Sequence, residues 1–90
     1  MAERRDRITI IYDILSAIAA KSGRIKPTHL LYKSNLSHIS MKKYIEELKG
    51  KKLIDEEHVK EHLFYKLTDE GIKFLNDYKK IREFTESFGL

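Results

Sequence analysis

The chain contains no cysteine, and it has only one proline and four glycines in 90 residues. Without cysteine it cannot form a disulfide framework, a thiolate metal site or a zinc finger. The scarcity of proline and glycine excludes a low-complexity linker and a collagen-like repeat. No apolar stretch reaches the roughly 18 residues that a transmembrane helix needs, so no membrane association is expected. We expect one domain spanning residues 1–90, and a two-domain enzyme is excluded.

The start of the chain superficially resembles a secretory signal, because arginines precede an apolar segment and Ala17–Ala20 follows it. However, Asp6 stands among the arginines Arg4, Arg5 and Arg7, and Asp13 interrupts the apolar segment. We therefore reject the signal and expect a soluble, cytoplasmic protein.

Charge is distributed unevenly along the chain, which has a net charge of +4. Residues 1–52 carry 12 Lys or Arg against 5 Asp or Glu, a net of +7, and residues 53–90 carry 6 against 9, a net of −3. This segregation favours one surface for a polyanion and another with a different role. Small, highly charged proteins are also often basic without binding nucleic acid, so charge alone does not decide the function.

Three helices are predicted in the first half of the chain. The first covers residues 5–21, where one apolar stripe recurs at spacings of three and four, formed by Ile8, Ile11, Tyr12, Leu15, Ile18 and Ala19. Gly23 stops it, and after a spacer at 24–26 a short helix runs from Pro27 to about Lys33. The predicted apolar anchors of the short helix are Leu30, Leu31 and Tyr32.

A turn at residues 34–37 leads into the third helix, His38–Gly50. Asn35 tolerates left-handed geometry and Ser37 is a good N-cap. On a helical wheel the inward residues are Met41, Tyr44, Ile45 and Leu48. Two strands then follow, the first beginning within 52–57 and the second at 63–68, with residues 58–62 as the hairpin tip. Thr68 is the predicted N-cap of a fourth helix that continues to about Glu86.

The order helix-helix-turn-helix-strand-strand-helix predicts an α+β, mostly helical, winged helix-turn-helix fold, with residues 5–67 as helix-turn-helix plus wing and 68–90 as a C-terminal helix. A helix fits the major groove, and the outward side chains of the third helix are Ile39, Lys42, Lys43 and Glu46. His38 and Ser40 lie at its N-terminus, which favours phosphate. Ile39 either contacts a thymine methyl group or is buried against a neighbouring element.

Four segments carry a resemblance to a known family. Residues 7–15 look like its first helix, 27–37 like its second helix and turn, 42–48 and then 52–54 like its third helix and first strand, and 65–71 like its strand-to-helix junction. Together they resemble an archaeal winged helix-turn-helix DNA-binding family that includes small transcription regulators and dimeric chromatin proteins. The similarity extends over about residues 5–80.

The resemblance implies that the chain binds double-stranded DNA as a homodimer and has no catalytic activity. Mapped by motif, the residues that contact DNA are Ser37, His38, Ser40, Lys42 and Lys43, with Lys33 and Ser34 near phosphate, and Ile39 is added from the helical wheel. The hairpin departs from the pattern of a basic wing, because it holds Asp55, Glu56, Glu57 and Glu61. At most Lys60 and a protonated His58 or His62 would touch phosphate there.

The fourth helix is longer than a small core can cover. Its first half is expected to pack against the first helix, while apolar surface beyond that point is typical of a partner site. The predicted dimerisation residues are Leu75, Tyr78, Ile81, Phe84 and Phe88.

Other chemistry finds little support in the sequence. His58 and His62 have a metal-ligand spacing only if they lie on a helix, and a hairpin does not provide it. No nucleophile elbow or glycine-rich phosphate loop is present, and no carboxylate pair lies in an evident apolar pocket, so neither catalysis, a cofactor nor a small-molecule substrate is expected. We expect a sequence-specific, dimeric transcription regulator associated with the nucleoid. An architectural chromatin protein and a winged-helix protein-interaction module remain the alternatives.

Overall fold

A computed structural model describes residues 5–90, so Arg4 of the signal-like segment lies outside the described residues. The elements in chain order are α1 Arg7–Ala20, β1 Arg24–Ile25, α2 Pro27–Ser34, α3 His38–Gly50, β2 Ile54–Val59, β3 His62–Leu67 and α4 Asp69–Ser87. The predicted order of helices and strands is confirmed, with one additional strand. The fold is α+β and mostly helical.

Local hydrogen bonds set the helix boundaries. The side chains of Asp6, Ser37 and Thr68 cap α1, α3 and α4 by accepting a bond from a backbone N–H three residues later, at 2.9, 3.1 and 3.0 Å. Asn35 ends α2 in the left-handed region, at φ 55°. The caps predicted at Ser37 and Thr68, and the left-handed Asn35, are therefore confirmed.

The core lies where α1 meets α2, α3 and the sheet. Its buried apolar residues are Ile11, Ile14, Leu15, Ile18, Ile25, Leu30, Met41, Ile45, Leu48, Ile54 and Leu67. The stripe predicted for α1 was partly wrong, because Ile14 is buried while Ile8 and Ala19 are exposed. A similar error concerns α2, where Tyr32 is 84% exposed and does not anchor the helix. Tyr32 follows the buried Leu30 by two residues, which turns it about 200° around the helix.

The sheet has the strand order β1-β3-β2, with antiparallel pairs throughout. Strand β1 was predicted as a spacer, because two residues are too short to show an alternating pattern. Arg24 pairs with Lys66 and Ile25 with Tyr65. The predicted hairpin tip was too long, since β2 and β3 leave only Lys60 and Glu61 unpaired, with Lys60 at φ 57°. We refer to the β2–β3 hairpin as the wing.

Helix α4 covers α1 and then extends past it. Phe74 and Leu75 pack against the core, and the Tyr78 ring lies 4.9 Å from the Tyr12 ring. Beyond Tyr78 the large apolar side chains are exposed, with Ile81 at 61% and Phe84 and Phe88 at 67% each. No helix in residues 5–90 has the length and apolar character needed to cross a membrane.

Candidate nucleic-acid interface

The turn between α2 and α3 is held by a side chain from the start of the chain. The Arg5 guanidinium donates to the carbonyl oxygen of Ser34 at 2.9 Å and forms an ion pair with Asp13 of α1 at 2.8 Å. A guanidinium in this position satisfies a carbonyl at the end of α2 and joins the turn to the first helix. The angle at which α3 leaves the turn therefore depends on α1 as well as on local sequence.

Helix α3 has one buried and one exposed face, as predicted. Met41, Ile45 and Leu48 are in the core. The exposed residues Ile39, Lys42, Lys43 and Glu46 form what we call the outer face of α3. Ile39 is 83% exposed, which rules out its burial against the hairpin or α2. An apolar side chain is thus held in solvent one helical turn before Lys42 and Lys43.

The N-terminus of α3 adds polar groups to this face. His38 is exposed and Ser40 is half-buried. The Ser37 hydroxyl oxygen accepts the bond from the Ser40 N–H at 3.1 Å, so the cap occupies this lone pair and leaves the hydroxyl hydrogen free to donate. The other N–H groups of the first turn have no helical partner and, with the helix dipole, favour an anion.

The two residues expected near phosphate at the end of α2 have different environments. Lys33 is exposed. Ser34, which is predicted to lie near phosphate, offers no exposed side chain for such a contact, because this residue is 1% exposed and its hydroxyl donates to the Leu30 carbonyl at 2.7 Å. A serine hydroxyl that donates to the carbonyl four residues earlier has its hydrogen-bonding partner within its own helix and can therefore be buried. The sequence pattern alone cannot distinguish this arrangement from an outward hydroxyl.

An ion-pair network limits the basic surface at the C-terminal end of α3. Lys49 donates to Glu56 of the wing at 2.7 Å and lies 3.7 Å from Glu46. The hydrogen bond to Glu56 raises the pKa of Lys49. Burial, and then the charge of Glu56, raise the pKa of the adjacent Tyr65 hydroxyl. Lys49 is therefore neutralised within the protein, while Lys42 and Lys43 take part in no ion pair among residues 5–90.

The wing is acidic on its exposed surface. Lys60 stands at its two-residue tip and is exposed. His58 pairs with Leu63 and His62 with Val59, so the two histidines point to opposite faces of the hairpin. They cannot share a metal ion, and within the described part of the chain no group of three potential ligands is brought together.

Comparison with known proteins agrees with this architecture. The sequence model of the winged helix-turn-helix family matches residues 4–86. The chain belongs to the winged helix-turn-helix family. A search of curated protein sequences returned no match.

Three solved structures share the winged helix-turn-helix fold with this chain. Sso10a-2, a DNA-binding protein from Sulfolobus solfataricus, has 20% identity and a TM-score of 0.71 over 94% of this chain and 90% of its own. F93 from STIV, a winged-helix DNA-binding protein, has 20% identity and a TM-score of 0.77 over 89% and 92%. BpsR of Bordetella bronchiseptica, whose DNA binding is regulated by 6-hydroxynicotinic acid, has 19% identity and a TM-score of 0.71 over 87% and 58%.

Sequence reasoning missed two features of this winged helix-turn-helix surface. Arg5 lies 29 residues before the carbonyl that it bonds, and no spacing rule connects them. Tyr32 was assigned to the core but stands exposed on α2, next to Lys33. A stricter helical wheel on α2, centred on Leu30, would have placed Tyr32 outside.

Proposed function

We propose that this winged helix-turn-helix protein binds double-stranded DNA by placing the outer face of α3 in the major groove. The observation that carries the proposal is the exposure of Ile39, Lys42 and Lys43 on one face of a helix whose opposite face is core. An α-helix of this kind fits the major groove, where lysines meet phosphates or base edges and an apolar group meets the thymine methyl. His38 and Ser40 extend the same surface, and Lys33 at the end of α2 is proposed as a separate phosphate contact. No catalytic role is proposed.

Within this function we favour a sequence-specific transcription regulator that acts as a dimer on the nucleoid in the cytoplasm. Ile39 supports sequence preference, because an exposed isoleucine has no role in folding and discriminates thymine from the other bases. The exposed end of α4, with Ile81, Phe84 and Phe88, supports a dimer, and paired half-sites about one helical turn apart suit a two-fold assembly. BpsR, whose DNA binding is regulated by 6-hydroxynicotinic acid, has a similar fold.

An architectural chromatin protein is the second candidate, and the composition of α3 favours it. Apart from lysine, the exposed residues of this helix include none of the side chains that make bidentate contacts with bases, namely Arg, Asn and Gln. Lysine contacts to phosphate hold a protein on DNA without reading its sequence. The acidic wing would favour the third candidate, a protein-interaction module, if duplex binding were absent.

A gel-shift series at several salt concentrations separates these functions. The Lys42→Glu/Lys43→Glu variant is expected to retain its circular dichroism and to lose more than about tenfold in duplex affinity. The matched control is Lys73→Glu/Lys79→Glu, which makes the same charge change on exposed positions of α4. If each protomer neutralises about three to five phosphates, the log–log salt slope of a dimer is roughly −5 to −9. A steep slope that does not depend on sequence identifies the chromatin protein, and a flat response contradicts DNA binding.

A further inference from the structure

A second, strongly basic cleft lies on the side of α2 that faces away from α3. It has a volume of about 240 Å³ and forms where the end of α1, strand β1, the start of α2 and strand β3 meet. Its lining residues, which we call the basic cleft, are Lys21, Arg24, Ile25, Lys26, His29 and Phe64. The basic residues all lie within residues 21–29, and the fold brings Phe64 of β3 against them.

The positive charge of the basic cleft is only partly neutralised. Glu57 accepts a hydrogen bond from Arg24 at 2.8 Å and lies 4.0 Å from Lys66. Lys21 and Lys26 form no ion pair within residues 5–90. Partial burial and then the charges of Lys21 and Lys33 lower the pKa of His29, which is what excess positive charge does to a nearby imidazole. An anion in the cleft would therefore meet several cations and one carboxylate that is already bonded.

An aromatic ring orients two of these cations. The Arg24 guanidinium carbon lies 4.7 Å from the centre of the Phe64 ring, and the Lys26 nitrogen lies 6.0 Å from it. The register of the sheet explains this arrangement, because Arg24 is opposite Lys66 and Phe64 is opposite Glu57, which puts all four on the same face. The ring and Glu57 hold the guanidinium before any ligand arrives, which lowers the entropic cost of binding.

The geometry of α2 separates the basic cleft from the surface next to α3. Thr28 and Leu31 line a cleft shared with His38 and Lys42 of α3. At about 100° per residue, His29 and Lys33 lie roughly opposite Thr28 and Leu31 on the helix. The basic cleft is thus on the far flank of α2 and is separate from the outer face of α3.

We propose that the basic cleft binds backbone phosphates of DNA that lie outside the contact made by α3, an inference that rests on the DNA-binding function proposed above. Phosphate is the ligand whose charge and oxygen acceptors match a lysine pair, a planar guanidinium and an imidazole. Contacts to backbone phosphates carry no sequence information, so the basic cleft would add affinity without distinguishing one base from another. The phosphates belong either to the flank of the same duplex or to a second duplex.

The test compares Lys21→Ala/Lys26→Ala with the control Lys73→Ala/Lys79→Ala, both in the full chain. Arg24 is left intact because it bonds to Glu57 within the protein. The cleft variant is expected to lose about tenfold in duplex affinity at moderate salt, and its salt slope is expected to become shallower by about one to two. The control is expected to match the wild type. Unchanged affinity and slope in the cleft variant overturn the inference and leave the function of α3 standing. If the wild type itself does not bind duplex, the proposed function fails as well.

Two further measurements distinguish the sources of phosphate. If the phosphates belong to the flank of the same duplex, the cleft variant and the wild type will have equal affinity for a duplex trimmed to the footprint of α3. If the phosphates belong to a second duplex, the protein will link labelled DNA to immobilised DNA, and this capture will depend on Lys21 and Lys26. This capture is measured in a Phe84→Ser/Phe88→Ser background, so that bridging by a dimer is not counted. If an acidic peptide such as polyglutamate binds the cleft in a Lys21- and Lys26-dependent way while duplex affinity and slope do not change, the DNA assignment is wrong.

Discussion

Gly71 in the first turn of α4 lies directly against the carbonyl oxygen of Leu53, so closely that a Cβ atom on Gly71 would overlap that oxygen. The same carbonyl accepts bonds from the Thr68 N–H at 3.2 Å and the Thr68 hydroxyl at 3.0 Å. The contact joins the segment before β2 to the start of α4. It fixes the base of the wing and the direction of the C-terminal helix together.

We predict that Gly71→Ala destabilises the protein by about 1–3 kcal/mol, the cost of forcing extra atoms into a packed site. The obstacle is backbone, which cannot rotate away as a side chain would. Gly50→Ala at the end of α3 is the matched control, because a Cβ there meets nothing within 4 Å. The control is expected to be neutral or to stabilise by up to about 1 kcal/mol. Urea unfolding of both variants checks this, and equal midpoints would refute the role of the Leu53 contact.

The Arg5 contact predicts that removing this side chain lowers the stability of the protein without changing the salt dependence of DNA binding. Arg5→Ala removes a part-buried bond to Ser34 and is expected to lower the free energy of unfolding by about 1 kcal/mol. Because the charge of Arg5 is already paired with Asp13, the salt slope of DNA binding should not change. A shallower slope would show instead that Arg5 contacts phosphate. Chemical denaturation and filter binding at several salt concentrations measure the two quantities.

Ile39 provides a test of sequence reading. In a duplex selected from a random pool, replacing thymine by uracil at each position removes one methyl group at a time. If Ile39 packs on a thymine methyl, one such replacement lowers wild-type affinity about fourfold, the value of a buried CH₂ group of ~0.8 kcal/mol. The Ile39→Ala variant should be insensitive to the same replacement. If every thymine-to-uracil replacement changes the affinity of both proteins equally, Ile39 does not take part in base recognition, and the chromatin function is favoured.

His29 reports on the charge of the basic cleft. Its pKa lies below the ordinary value of 6.5, because of partial burial and then Lys21 and Lys33. A histidine with a lowered folded pKa contributes stability above pH 6.5, and this contribution is lost as the pH falls through the folded value. We predict that Lys21→Ala raises the His29 pKa and that duplex binding raises it in the wild type. Titration of the imidazole by NMR measures both shifts. If DNA does not change the His29 pKa, no phosphate binds in the basic cleft.

The elements that sequence reasoning placed well are those whose signals are local. The caps at Ser37 and Thr68 and the left-handed Asn35 each depend on one side chain and its immediate backbone. The outer face of α3 followed from a helical period over 13 residues. Such signals survive in the tertiary structure because nothing distant competes with them.

The features that were missed depend on contacts between distant segments. Strand β1 exists only because β3 offers it a partner, and two residues carry no alternating pattern. The basic cleft unites Lys21 with Phe64 across the sheet, which no spacing in the sequence reveals. Ser34 illustrates the opposite error, because a hydroxyl in a predicted turn was assumed to point outward and instead bonds its own helix.

The final prediction concerns the exposed end of α4. The rings of Phe84 and Phe88 contact each other, with centroids 5.1 Å apart, and Ile81 is exposed with them. An aromatic side chain buries roughly 150–250 Å², and at about 25 cal/mol per Å² two rings per protomer supply several kcal/mol of association free energy. Association costs offset much of this, which leaves a dimer in the micromolar range.

Phe84→Ser/Phe88→Ser is therefore expected to sediment as a folded monomer at micromolar concentration, where we expect the wild type to be a dimer. Tyr32→Ser, which removes a still more exposed aromatic from α2, is the control and should remain dimeric. Truncation after Tyr78 should also give a monomer, although a less stable one, because it removes the Arg82 guanidinium that lies 5.2 Å from the Tyr12 ring. Both monomers should bind a two-site duplex far more weakly, since the second half-site no longer acts at high effective concentration. A wild-type protein that sediments at 10.7 kDa would contradict the dimer and leave these side chains without a partner.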